Sequence, residues 1–182
     1  MEQDIKQILF REEDLRLCVS RLAAEINRDY EGRAPVVVGI LQGSFVFLAD
    51  LVREITLPIN VEFMSASSYG SGTESSGQVN IRLDIHQELA GRDVILVEDI
   101  LDSGNTLSRL IPELWKRNPA SLRLCVLLDK PDRRVKEVEV HYRGFTIPDE
   151  FVVGYGLDYD QKYRNLPYVG VLKPSIYSQG DT

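Results

Sequence analysis

The chain has 182 residues, room for one domain with a single sizeable core and a small appendage. Its 43% hydrophobic and 27% charged content is that of an ordinary folded protein and excludes wholesale disorder. A formal net charge of −7, from 21 basic and 28 acidic residues, disfavours general nucleic-acid binding; a small anion can still be held through a metal ion or local backbone amides.

Met1–Phe10 carries acidic residues without the apolar region of a signal peptide, and no apolar run reaches membrane-spanning length. A cytoplasmic protein with no membrane partner is expected. Leu15, Cys18, Val19, Leu22 and Ile26 recur at helical spacing, so Glu12–Tyr30 reads as an amphipathic helix stopped by Gly32. Val36–Leu41 is a β-branched run suited to a buried parallel strand. Gln42-Gly43-Ser44 then forms a turn before a helix over Phe45–Arg53, and Asn60–Ser65 is a second strand. Ala66–Gln78 is small, polar and glycine-rich, the composition of a connector and also a common form of active-site lid. Val79–Leu83 and Asp93–Val97 read as strands. Thr106–Arg117 reads as a helix in which Pro112 marks a kink or a fresh first turn. Ser121–Leu128 is a nearly all-apolar strand, and Phe151–Val153 and Tyr168–Leu172 are shorter ones. The alternation predicts an α/β fold: an open, mainly parallel twisted sheet flanked by helices. Cys18 and Cys125 fall in apolar segments as small core residues, and His86 and His141 lack partners at zinc-ligand spacing.

The most informative stretch runs from Val94 to Leu107. A buried strand ends in Glu98 and Asp99, a tight loop supplies Asp102, Ser103 and Gly104, and a helix begins near Asn105 and Thr106. In open α/β sheets ligands gather at the C-terminal edge of the strands, which is where these groups fall. Backbone amides and hydroxyls from Ser103 to Thr106, joined by a helix N-terminus, suit a phosphate monoester. Glu98 and Asp99 can accept from sugar hydroxyls or hold Mg²⁺ directly or through water. A plain helix cap by Asp102 or Ser103 is the structural alternative. It leaves unexplained three acids within five positions after an apolar strand. A Walker loop is excluded, because no lysine follows a glycine at the required spacing.

This segment resembles the phosphoribosyl pyrophosphate signature of the type I phosphoribosyltransferases. Glu-Asp followed by Ile-Leu-Asp-Ser-Gly is most similar to the hypoxanthine-guanine branch of that family. The likeness continues through Leu41–Ser44, Ser68-Tyr69, Leu127–Pro131 and Phe151–Tyr159, in the family's order and over nearly the whole chain. It implies a Mg²⁺-dependent enzyme of purine salvage that joins phosphoribosyl pyrophosphate to a 6-oxopurine base. A single domain over 1–182 is implied, with a small hood subdomain built from the N-terminal and C-terminal segments.

The resemblance assigns roles residue by residue. Asp102 becomes the general base at purine N7, and Glu98, Asp99 and Asp158 become metal ligands. Asp102 through Thr106 cradle the 5′-phosphate. Lys130, Phe151, Val152 and Asp158 bind the purine. Gln42, Gly43 and Arg164 meet pyrophosphate, while Ser68 and Tyr69 lie on a mobile lid at about 66–78. Many relatives carry a basic residue where this chain has Gln42, so a charged contact to pyrophosphate is not carried over. A homodimer or homotetramer is implied as well. Regulators with a related fold bind RNA or DNA. Here the one basic cluster, Lys130–Lys136, is diluted by Asp129, Asp132 and Glu137 and reads as a solvated loop or subunit contact.

Overall fold

The structure is a computed structural model that describes residues 1–67 and 80–178. The elements in chain order are β1 (Ile5–Phe10), α1 (Glu12–Asp29), β2 (Val36–Ile40), α2 (Phe45–Glu54), β3 (Asn60–Ser67) and β4 (Asn80–Leu83). There follow β5 (Asp93–Leu101), α3 (Asn105–Trp115), β6 (Ser121–Asp129), β7 (Tyr142–Thr146), β8 (Val152–Val153), β9 (Val169–Leu172) and α4 (Pro174–Tyr177). No helix among the described residues is long and apolar enough to cross a membrane.

Six strands form the main sheet in the order β4-β3-β2-β5-β6-β7. All neighbours are parallel except β4, which runs antiparallel to β3 at the edge. The order reverses between β2 and β5, so the loops after these two strands part and leave a crevice, the usual ligand position in such sheets. The segments expected to carry the chemistry, Gln42–Ser44 and Glu98–Thr106, are the two that flank it.

Each central strand is apolar on both faces, because helices cover both. Val37, Ile95, Val97, Cys125 and Leu127 pack with α1 and α2, whereas Val36, Val38, Leu96, Leu124 and Val126 pack with α3. In α1 the residues Leu15, Cys18, Val19, Leu22 and Ile26 are buried, as their spacing predicted, and Ala23 is buried with them. Each large apolar side chain among them contributes roughly 1.5–3 kcal/mol by leaving water. The Asp14 carboxylate accepts the Arg11 amide at 2.8 Å and closes the helix start.

A smaller antiparallel sheet, β1-β9-β8, joins the two ends of the chain over the crevice. Val153, Tyr163, Leu166 and Leu172 form its own core. β1 was not expected from the sequence. Its pairing with β9 slips twice and its residues are only partly buried, so no clean alternation marks it. β7 was missed too, its short run being broken by Gly144.

Two boundaries are corrected. β5 continues to Leu101, so Glu98 and Asp99 stand inside the strand rather than at its end; pairing with β6 extends through Leu101 and Asp129. The expected loop over Ala66–Gln78 begins later, because Ala66 and Ser67 pair with Ile81 and Asn80. The rest of it, including Ser68 and Tyr69, lies outside the described residues. α3 runs unbroken through Pro112.

Candidate active site

Two cavities meet at the end of β5. The first, of about 250 Å³, is lined by Leu41 and Gly43 after β2, by Glu98, Asp99 and Asp102, and by Gly104 and Thr106 at the start of α3. The second, of about 480 Å³, is lined by Lys130, Asp149, Phe151, Val152, Asp158 and Tyr177, among others. Asp99, Ile100 and Asp102 line both. The first cavity is polar and borders a helix N-terminus; the second has an aromatic and aliphatic wall with one buried cation.

The first cavity suits a sugar phosphate. Gly104 takes φ +80° and turns the chain into α3, whose first ladder bond runs from the Ser108 amide to the Gly104 carbonyl. The amides before Ser108 therefore face the loop, where an anion meets them and the positive end of the helix. Ser103 Oγ already accepts the Asn105 amide at 3.3 Å. A Cβ at Gly43 would come within 1.7 Å of the Asp99 carboxylate and would force that side chain to move. The bare glycine lets the loop after β2 close against β5 and narrows the crevice.

The carboxylates are held rather than free. Asp99 Oδ1 accepts the Ile100 amide at 2.9 Å, and Glu98 Oε1 accepts the Asp99 amide at 3.1 Å. Burial, followed by the neighbouring charge of Asp99, pushes the Glu98 carboxyl well above the usual carboxylate range. A cation beside the pair would relieve both effects.

In the second cavity Lys130 is 6% exposed and donates to the Glu150 carbonyl at 2.9 Å. Its ammonium is 3.9 Å from both Asp102 Oδ2 and Asp149 Oδ1, and Arg133 bridges the same two carboxylates at 3.7 Å. Asp102 Oδ1 is shielded from solvent and has no hydrogen-bond partner among the described residues. Phe151 is partly exposed and stacks on Tyr177, with ring centroids 5.0 Å apart at 24°.

Most of the expected site residues thus converge. Glu98, Asp99, Asp102, Gly104 and Thr106 surround the first cavity, and Lys130, Phe151, Val152 and Asp158 the second. Gln42 and Arg164 line neither, and instead meet each other: Arg164 donates to Gln42 Oε1 at 3.4 Å and pairs with Asp158 Oδ1 at 2.9 Å. Glu98, Asp99 and Asp158 do not form one metal cage, and no group of three acidic, His or Cys side chains among the described residues does so. Ile100, Arg133, Asp149, Leu157 and Tyr177 also line the second cavity and were not expected. Ile100 had a signal in its place between the acids; the others reach the site only through the fold.

Residues 9–160 match the family model described as a phosphoribosyl transferase domain. The chain is 49% identical over 178 residues to a hypoxanthine-guanine phosphoribosyltransferase of Streptococcus pneumoniae, covering 98% of this chain and 99% of that one. It is 47% identical over 178 residues to the Staphylococcus aureus protein of the same name, with the same coverage. A crystal structure of a hypoxanthine phosphoribosyltransferase from Staphylococcus aureus superposes with a TM-score of 0.93 at 47% identity, covering 97% of this chain and 96% of that one. A split crevice with a helix N-terminus and acidic side chains on one side and an aromatic, lysine-bearing wall on the other accords with these matches, and the chain belongs to the phosphoribosyltransferase family, in its hypoxanthine-guanine branch.

Proposed function

We propose that the chain transfers the phosphoribosyl group of phosphoribosyl pyrophosphate to hypoxanthine or guanine, releasing pyrophosphate and a purine nucleoside monophosphate. The observation that carries this reading is the position of Asp102, on the wall shared by the two cavities and 3.9 Å from the Lys130 ammonium. A donor in one cavity and a base in the other would meet at this side chain.

The C1′–O bond to pyrophosphate breaks as the purine N9 forms its bond to C1′, and the base gives up the proton on N7. Asp102 is the acceptor assigned to that proton, its Oδ1 making no hydrogen bond among the described residues. Lys130 donates to the exocyclic oxygen of a 6-oxopurine, a bond that the amino group of adenine cannot accept. Phe151 offers its ring face to the base, Ile100 bounds the same cavity, and Val152 presents backbone groups to the base edge. Ser103 to Thr106 hold the 5′-phosphate, while Gly43, Gln42 and Arg164 border the pyrophosphate. The hood, from the chain's two ends, encloses the base; Ser68 and Tyr69, which the resemblance assigns to a lid, lie outside the described residues.

The donor set fits Mg²⁺. Glu98 and Asp99 offer only oxygen, and this ion commonly takes one or two carboxylates with substrate phosphates and water rather than an all-protein cage. When bound, Mg²⁺ supplies neutralisation of the departing pyrophosphate. Asp158 is the second candidate ligand, its carboxylate being held by Arg164. A cytoplasmic homodimer or homotetramer completes the reading, and exposed Val61, Phe63 and Leu83 support self-association.

The test is pyrophosphate release with Mg²⁺, phosphoribosyl pyrophosphate and hypoxanthine, guanine, xanthine, adenine or uracil offered separately. Hypoxanthine and guanine are expected to react; activity with uracil and no purine overturns the reading. Asp102→Asn is expected to bind the donor normally and lose about 100- to 10,000-fold in turnover, the usual contribution of a positioned acid or base. Unchanged turnover would remove Asp102 from proton transfer.

A further inference from the structure

We propose that Arg134 is a positioning residue of this site, fixing the Asp102 backbone and the phosphate-binding loop by donating to the carbonyls at the end of β5. By sequence it belongs to a diluted basic cluster expected to be a solvated loop or a subunit contact. In the fold its side chain is only 11% exposed.

Pairing between β5 and β6 ends at Leu101 and Asp129, where the Leu101 carbonyl accepts the Lys130 amide at 2.9 Å, so the next carbonyl, that of Asp102, needs another donor. Arg134 supplies it and adds a second, longer bond to Leu101. Its Nε donates to the Asp102 carbonyl at 3.0 Å and its Nη2 to the Leu101 carbonyl at 3.4 Å. The same guanidinium pairs with the Asp129 carboxylate, which is 5% exposed and also held by Arg143 Nε at 2.8 Å. The next two residues continue the contact, since the Val135 and Lys136 amides both donate to the Ser103 carbonyl at 2.9 Å. The fit is close: a Cβ on Gly104 would lie 2.2 Å from the Lys136 carbonyl oxygen and 3.3 Å from Arg134 Cδ.

The chemistry requires arginine. A planar guanidinium presents separate N–H groups in a fixed fork and can satisfy two carbonyls and a carboxylate together. A lysine ammonium offers one nitrogen and can retain the ion pair with Asp129, but it does not span the two carbonyls as well. Arg134 touches neither base nor sugar in this reading. It acts through the backbone that aims the Asp102 carboxylate and the loop amides.

The inference rests on the roles given above to Asp102 and to Ser103 through Thr106. Its test compares Arg134→Lys and Arg134→Met with the native enzyme for kcat, for KM toward donor and base, and for Tm. Arg134→Lys is expected to keep a near-native Tm while kcat falls about 10- to 100-fold, the scale set by a small misplacement of reacting groups. Its donor KM is expected to rise and its base KM to stay within about twofold, because the Lys130 and Phe151 wall is untouched. Arg134→Met is expected to lose both rate and Tm. Native kcat and donor KM in Arg134→Lys overturn the proposal, as does a base KM that rises with the donor KM. If Asp102→Asn proves fully active while Arg134→Lys still raises donor KM, the proton-transfer role falls and the positioning of the phosphate loop stands.

Discussion

The carboxamide of Gln42 accepts from Arg164, and the same guanidinium donates to the Gly156 carbonyl at 2.8 Å and pairs with Asp158. A neutral acceptor therefore stands where the family resemblance implies a cation, and it helps to hold the one guanidinium assigned to pyrophosphate. A lysine at this position would meet Arg164 as a like charge in the free enzyme, but would add attraction once a polyanion lies between them. One additional charge at about 4 Å in a water-like medium is worth ~1 kcal/mol, or about fivefold in affinity. Gln42→Lys is accordingly expected to bind pyrophosphate about fivefold more tightly at low ionic strength, and salt should erase the gain. Calorimetric titration at two salt concentrations checks it. An affinity unchanged at both would mean that the side chain at 42 does not face the anion.

At the scale of elements, α4 has the clearest unassigned effect. This short helix brings Tyr177 onto Phe151, and Tyr159 meets the Phe151 ring edge-on with centroids 5.5 Å apart. Two rings from separate segments thus set the orientation of the one assigned to the purine. An aromatic pair contributes about 0.5–1.5 kcal/mol beyond its buried area, so Tyr177→Ala should raise the base KM about two- to tenfold and leave the donor KM alone. Tyr177→Phe should restore it, since the ring and not the hydroxyl makes the stack; steady-state kinetics with each substrate varied separates the cases. No sequence signal announced α4 or its tyrosine, because a four-residue helix has no period to read and the stack exists only after the chain's end folds back. The central elements were legible for the opposite reason. β2, β5 and β6 are continuous apolar runs, α1 carries its buried face at helical spacing, and the acids and small residues of Glu98–Thr106 sit together in the chain. Arg134 and Asp149 were illegible as site residues for the same cause as Tyr177, their partners lying in other segments. Charge in a loop looks alike whether it is solvated or clamped between strand ends.

The whole molecule is covered unevenly. Helices α1 and α2 shield one face of the central strands, but toward the β3–β4 edge the same face stays apolar and open. Val61 pairs in register with Val37 of that helix-covered face, and Phe63 with Gly39, while Leu83 stands opposite Ser65. Val61, Phe63 and Leu83 are 39%, 41% and 38% exposed, whereas the intervening Glu62 and Met64 point inward and are buried. Contiguous apolar surface of this kind on a soluble chain marks an association site more often than an accident of composition. A second copy is the assigned occupant, consistent with the homodimer or homotetramer proposed above. Association through one patch on each copy would bring the strips together about a two-fold axis. Phe63→Lys would then set two ammonium groups near that axis in a poorly solvated contact, disfavouring assembly without touching the monomer's core. Sedimentation velocity over a concentration series should show a native oligomer and a Phe63→Lys protein shifted toward the monomer, with a circular dichroism spectrum unchanged. If the native chain sediments as a monomer, the oligomer is refuted; if it associates and Phe63→Lys associates equally well, the interface lies elsewhere.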